Sequence, residues 1–222
     1  MYALSPETLI KAYALGVFPM AEHHDDDRIF FVDPDERGIL PLDDVHLPRS
    51  LKKRVRQRPY KITVNTAFDL VIDGCRAITS TRAESWINPQ IRQLYCALHR
   101  LGFAHSVEAW QDNDTSTPQL VGGLYGVALA GAFFGESMFS RATDASKITL
   151  VHLMARLKAG GFTLLDTQFS NPHLEQFGVL EIAREDFQQQ LSIALAAEAS
   201  FPLIDDDFAL VQSFMQARTE TS

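Results

Sequence analysis

Two polar interruptions of otherwise apolar segments carry the side chains most able to do chemistry. The first is Gly-Glu-Ser-Met-Phe-Ser at 135–140, where Glu136 and Ser137 lie between Phe133, Phe134 and Met138, Phe139. A carboxylate among such neighbours is costly to bury unless it is paired. Glu136 therefore reads as the polar recognition group in the wall of an apolar pocket; the alternative is a glutamate at an exposed strand end. The second is Leu-Leu-Asp-Thr-Gln at 164–168. Asp166 closes an apolar strand and Gln168 follows two residues on, so period-two geometry puts both side chains on one face if the strand continues. Carboxylates at the carboxyl ends of α/β strands often line sites, and many only cap the next turn. Asn171 and His173 follow closely.

Other chemistries lack their motifs. There is no Gly-x-Ser-x-Gly, no P-loop and no His-Glu-x-x-His, and neither Cys75 nor Cys96 has a histidine beside it. Two cysteines exclude a disulfide framework and a four-cysteine zinc site. The histidines spell no metal site: His23 and His24 with three aspartates read as a solvated loop, and His99, His105 and His152 as core or helix-face residues. Gly122, Gly123 and Gly126 sit inside a strand pattern and read as a bulge or a close backbone approach rather than a phosphate loop.

Charge is unevenly placed. The net charge is -8, which alone argues against a nucleic-acid partner. Yet Arg49, Lys52, Lys53, Arg54, Arg56, Arg58 and Lys61 fall within 46–61 with no acid among them. Phosphate binding needs only such a local positive field; the alternative is a solvated helix face.

These residues must be held by a framework, and the pattern supplies one. The chain is 46% hydrophobic and 22% charged, close to the soluble globular average, and 222 residues suffice for a core without staples. The start of the chain has no signal-peptide pattern. The longest apolar run, 124–135, is too short for a membrane span of about 20 residues. The expectation is a cytoplasmic protein. Ser5 and Pro6 open a helix with Leu9, Ile10, Tyr13 and Ala14 on one face, ending at Gly16. Short extended pieces follow at 30–34 and 37–41. A basic helix starts near Pro48, and Arg58-Pro59 is a boundary. Beyond it come a strand at 60–64, a helix through Phe68, Val71, Ile72 and Cys75, and a helix opened by Asn88-Pro89 and stopped by Gly102. Strands follow at 105–110, 119–129 and 132–139, with a polar loop over 111–118 and a tight turn at Ala130-Gly131. A helix over 146–158, a strand over 162–166 and a helix over 186–199 complete the pattern. The expected fold class is α/β (α+β): a small N-terminal domain over 1–59 and a larger domain over 60–222 with a mixed, largely antiparallel sheet flanked by helices. The tail after Phe201 carries no readable signal.

Taken together, the motifs resemble one family. Leu-Gly-Val-Phe-Pro-Met at 15–20, Asp33-Pro34 with Arg37-Gly38, and His46 with Arg49-Ser50-Leu51-Lys52 come first. Trp86-Ile87, Leu98-His99, His-Ser-Val-Glu at 105–108 and the stretch 120–127 follow. Residues 135–141, Ala145-Ser146-Lys147, Asp166 with Gln168, and Pro172-His173-Leu174 close the series. In that order and spacing the chain resembles the leucyl/phenylalanyl-tRNA–protein transferase family of bacterial aminoacyltransferases, from about residue 2 to about residue 191. The resemblance implies transfer of leucine, phenylalanine or methionine from aminoacyl-tRNA to an N-terminal Arg or Lys, marking the protein for degradation. It also implies that the larger domain is N-acetyltransferase-like and that no cofactor or metal is required; the further expectation is a monomer with no membrane partner.

The resemblance further implies a site. Asp166 and Gln168 fall on its catalytic positions, with Gln168 binding the incoming amine or passing its proton toward Asp166. Its aminoacyl and peptide pocket falls on Trp86, Phe133, Glu136, Ser137, Met138, Leu153, Leu157, Leu165 and Asn171. Arg49, Lys52, Lys53, Arg54 and Arg58 fall on a tRNA-binding face. Phe30 and Phe31 stand where the family often has tryptophans. Two rivals are an acyl-CoA N-acetyltransferase, which would need a glycine-rich loop where 141–146 has no glycine, and a non-catalytic RNA-binding module, which leaves Glu136, Asp166 and Gln168 unexplained.

Overall fold

The computed structural model describes residues 4–79, 84–112 and 117–217. Helix α1 (Pro6–Ala14) starts where the Ser5 hydroxyl accepts from the Thr8 N–H, with proline at its first position. It stops at Gly16, whose φ of +83° is left-handed and open to glycine at little cost. Strands β1 (Phe18–Met20) and β2 (Phe30–Val32) pair as a separate two-stranded sheet. Strand β3 (Glu36–Ile39) then leaves for the main sheet, and α2 (Arg49–Arg56) carries the basic block. Strand β4 (Lys61–Val64), α3 (Phe68–Arg76) and α4 (Pro89–Arg100) follow. The Asn88 side chain caps α4 by accepting from the Ile91 N–H at 2.7 Å. Strands β5 (Ala104–Gln111), β6 (Gln119–Leu129) and β7 (Ala132–Ser140) form the expected meander. The polar loop between β5 and β6 lies partly outside the described residues. Helix α5 (Ala145–Ala159), β8 (Leu164–Gln168), α6 (Pro172–Glu175), β9 (Leu180–Ala183), α7 (Arg184–Leu195) and α8 (Phe208–Ala217) complete the chain.

The seven-stranded sheet runs in the order β4-β5-β6-β7-β8-β3-β9. Every neighbour pair is antiparallel except β7 with β8. Successive residues of β6 point to opposite sides, as a pleated strand requires: Leu124 joins one core and Tyr125 the other. The first core lies under α2, α5 and α8. The second lies under α1, α3, α4 and α7. Helix α5 is buried on nearly every side from Ala145 to Leu157, so it shows no amphipathic stripe and acts as a central support.

The glycine cluster at 122–126 belongs to β6 and serves close packing. A Cβ on Gly126 would stand 2.3 Å from the Phe134 carbonyl oxygen, and one on Gly122 would stand 2.5 Å from the Ala145 Cβ. The boundary expected after residue 59 coincides with no break in sheet or core. Strand β3 lies between β8 and β9, and Leu40, Leu42, Leu51 and Val55 share the first core with α5. The chain after Phe201, silent in the sequence, forms α8 and inserts Val211, Phe214 and Met215 into that core. Among the described residues, no helix is long and apolar enough to cross a membrane.

Candidate active site

Strands β7 and β8 pair only over Ala132–Phe134 and Leu164–Asp166. Beyond that they diverge, and two cavities occupy the gap. One, of about 220 Å³, has apolar walls from Leu124, Met138, Leu150, Leu153, Leu165 and Leu174. The other, of about 210 Å³, has Phe18, Met20, Trp86 and Phe169 around Gln168. Glu136, Thr167 and Asn171 line both. Among the described residues, Glu136 is the only carboxyl group on either.

A bulge aims Glu136. On β6, Tyr125 faces Ser137 while Gly126 faces Gly135, so Glu136 is the extra residue between them. Its carboxyl is met from two helices. The Tyr13 hydroxyl of α1 lies 2.6 Å from Oε1 and the Tyr95 hydroxyl of α4 lies 2.7 Å from Oε2. The two phenols also hydrogen-bond each other. Burial pushes the Glu136 carboxyl up to about 7; the tyrosine hydrogen bonds pull the other way without cancelling it. A second buried glutamate, Glu108, is taken up by the hydroxyls of Ser106, Thr63 and Thr66 and the Ala67 N–H.

Asp166 is fully buried and lines neither cavity. Arg37 of β3, also buried, clamps it with two hydrogen bonds of 2.9 and 2.6 Å. The same guanidinium donates to the Gly16 carbonyl at 2.9 Å and lies against the rings of Phe18 and Phe187. Asp166 Oδ1 also accepts the backbone N–H of Gln168 at 2.9 Å. That bond holds Gln168 at φ +60°, a conformation unusual outside glycine. The Gln168 side-chain nitrogen then lies 3.5 Å from Glu136 Oε1. Asp166 thus meets the cavity lining through the backbone of Gln168.

The structure gathers most of the expected pocket. Ser137, Met138, Leu153 and Leu165 line the first cavity, Trp86 the second, and Glu136 and Asn171 both. Phe133 and Leu157 line neither. Both are fully buried in the first core, Phe133 against Phe162 and Phe201. Tyr13, Tyr95, Arg37 and Thr167 escaped the sequence reading as site residues. Their signal was indirect: a glutamate in an apolar strand demands donors, and tyrosines on apolar helix faces can supply them.

The basic block forms α2. Leu51 and Val55 are buried one turn apart, while Arg49, Lys53 and Arg56 face outward and Lys52 and Arg54 are half-buried. Arg58 is exposed beyond the helix, but it is engaged: it contacts Asp206 at 3.4 Å and lies over the Phe208 ring. His99, His105 and His152 each have a partner, respectively the Ala104 carbonyl, the Asn65 side chain and Asp207. Among the described residues, no group of three His, Cys, Asp or Glu side chains is placed to hold a metal ion.

Residues 39–192 match the family profile described as leucyl/phenylalanyl-tRNA protein transferase, and residues 2–35 match that of its N-terminal domain. The chain is similar to leucyl/phenylalanyl-tRNA–protein transferases from several bacteria. It is 53% identical to that of Maricaulis maris (strain MCS10) over 222 residues, the whole of both chains. It is 60% identical to that of Hyphomonas neptunium (strain ATCC 15444) over 196 residues, 88% of this chain and 74% of the relative. It is 54% identical to that of Paramagnetospirillum magneticum (strain ATCC 700264 / AMB-1) over 201 residues, 90% of this chain and 94% of the relative.

Proposed function

The chain belongs to the leucyl/phenylalanyl-tRNA protein transferase family, and we propose that the two cavities meeting at Glu136 divide its reaction between donor and acceptor. It is an aminoacyltransferase that moves leucine or phenylalanine from aminoacyl-tRNA to a protein N-terminus. The apolar cavity takes the donor side chain, methionine included. An apolar wall separates such side chains by only about 1–3 kcal/mol per methylene, so overlapping use of all three follows. The aromatic cavity takes the acceptor's first residue, Arg or Lys, whose long stem and cation both suit the rings of Phe18, Trp86 and Phe169.

The acceptor α-amine, with a reference pKa of about 7.7–8.0, offers a neutral fraction near neutrality. It attacks the ester carbonyl. The C–N bond forms, the ester C–O bond breaks, and a proton must reach the departing ribose oxygen. Ester to amide is downhill, so the barrier lies in orientation and proton placement. The Gln168 amide directs its nitrogen toward Glu136, which leaves its carbonyl oxygen to accept from the incoming amine. Asp166 and Arg37 hold that geometry. Arg49, Lys52, Lys53 and Arg54 contact tRNA phosphates, with Arg58 at the margin. The reaction belongs in the cytoplasm, where charged tRNA is found, and the new terminus marks its protein for degradation.

The observation that carries this reading is the divergence of β7 from β8 with Glu136 as the shared wall. The test mixes purified protein with leucyl-tRNA carrying labelled leucine and a peptide beginning with arginine, without CoA or ATP. Label should pass to that peptide and not to one beginning with alanine. Transfer to both, or to neither, would refute the acceptor assignment.

A further inference from the structure

The contacts around Glu136 can be counted in protons. Tyr13 meets Oε1, Tyr95 meets Oε2, and the two phenol oxygens meet each other. Each of these three contacts needs one hydrogen, and the two phenols supply two. With Glu136 ionised, both phenols would donate to it, and their own oxygens would face each other with nothing between. A third proton, on the carboxyl, closes the ring: each group then donates once and accepts once. The phenols keep their protons, since burial raises both well above the ordinary tyrosine value.

We propose that Glu136 sits between Tyr13 and Tyr95 as a neutral carboxylic acid, kept so by its burial, and that this three-membered ring is the proton carrier of the transfer reaction. The proposal rests on the transfer reading above. As the C–N bond forms and the ester C–O bond breaks, one carboxyl oxygen gives its proton to the departing ribose oxygen. The nitrogen sheds a proton that refills the ring, so the ring ends as it began. No base outside the ring and no further reactant is needed. Glu136 is suited by place as well, because among the described residues it alone of the carboxyl groups borders both cavities.

The surroundings favour the neutral form. Tyr13 faces it from α1, Tyr95 from α4 and Gln168 from β8; Tyr125 of β6 lies in the same field. The charged groups that reach it are Asp166, which opposes ionisation, and Arg37, which favours it. Those two are clamped to each other, so their effects largely offset. Tyr13 and Tyr95 act as positioning residues, and Glu136 touches the reacting atoms.

Infrared titration of the whole protein with carbon-13-labelled glutamate carboxyls tests the proton directly. The wild type should show a protonated carboxyl band near pH 6 that Glu136→Gln lacks. In the Tyr13→Phe, Tyr95→Phe double variant, with the lowering hydrogen bonds gone, that band should persist to higher pH. Single-turnover transfer should fall about a hundredfold in Glu136→Gln, the usual worth of a general acid–base. The high-pH limb of the double variant should move up with the band, at unchanged KM for aminoacyl-tRNA. An ionised Glu136 near pH 6 in the wild type overturns the proposal, as does a Glu136→Gln rate within twofold of wild type. A wild type that shows the band and performs no transfer overturns the proposed function, and the carrier role with it.

Discussion

Asp166 and Glu136 are both carboxyl groups at the splay of β7 and β8, and their partners give them different work. Asp166 has a guanidinium matched to both oxygens. Asp166→Ala would leave Arg37 buried and uncompensated, and breaking such a pair costs about 3–5 kcal/mol. Adding Arg37→Met should recover much of that loss in urea unfolding, because an apolar replacement needs no counter-charge. Transfer should stay at least about tenfold slow in the recovered protein, since Gln168 has lost its anchor. Recovery of both stability and rate would remove the positioning role. Glu136 makes a separate prediction through pH. Its proton is released near the ordinary 4.5 in the unfolded chain and at about 7 in the fold. Between these values the folded protein holds a proton that the unfolded chain lacks, so its contribution to stability is complete below the lower value and is lost as pH rises through the upper one. Glu136→Gln should therefore gain on the wild type as pH rises across that window. Parallel pH curves for the two proteins would contradict the raised carboxyl.

At the level of elements, α2 separates packing from function by one turn. Burial of Leu51 and Val55 contributes about 1.5–3 kcal/mol each, while Arg49 and Lys53 are exposed. Arg49→Ala and Lys53→Ala should each weaken tRNA binding and lower the salt slope by about one, leaving the unfolding midpoint unmoved. Asp206→Ala, which frees Arg58, should strengthen binding and steepen that slope; an unchanged slope would take Arg58 away from the RNA. The sequence made α2 legible because apolar spacing and charge are local properties. The caps of α1 and α4, the β5–β6–β7 meander and the polar pair Asp166 and Gln168 were legible for the same reason. What periodicity misses is which element covers which face. Arg58-Pro59 marks a turn, and Arg58 takes φ +49° there, but a turn is not a domain boundary. The insertion of β3 between β8 and β9 joins residues about 130 to 150 positions apart, and no local pattern encodes that. The phenols on Glu136 share this origin: Tyr13 and Tyr95 read as core because their rings are core, and only their hydroxyls reach the site.

Across the whole molecule, the sheet divides two cores, and the chain after Phe201 closes one of them. Its fastening is Asp207, which accepts from Arg156 Nε and pairs with His152 Nδ1, each at 2.8 Å. Arg156 in turn donates to the carbonyls of Pro202 and Ile204. Burial alone would raise the Asp207 carboxyl; the His152 and Arg156 contacts outweigh it and hold it below the ordinary 3.8. A carboxyl lowered by folding stabilises above its unfolded value, and that share is lost as pH falls through the lowered one. Helix α8 should therefore loosen first under acid. Asp207→Asn should produce the same loosening at neutral pH, because Arg156 keeps its carbonyls and loses its counter-charge. Hydrogen exchange would show it as lost protection across α8 with β5, β6 and β7 unchanged, the pattern of a locally opening unit. Helix α5 carries His152 and Arg156 as well as Leu150 and Leu153, which wall the apolar cavity. A loosened α5 should then raise KM for leucyl-tRNA with less effect on the rate of the bound complex. Equal loss of protection over sheet and helix alike would mean that the C-terminal segment unfolds only with the entire molecule, and that α5 needs no fastening from it.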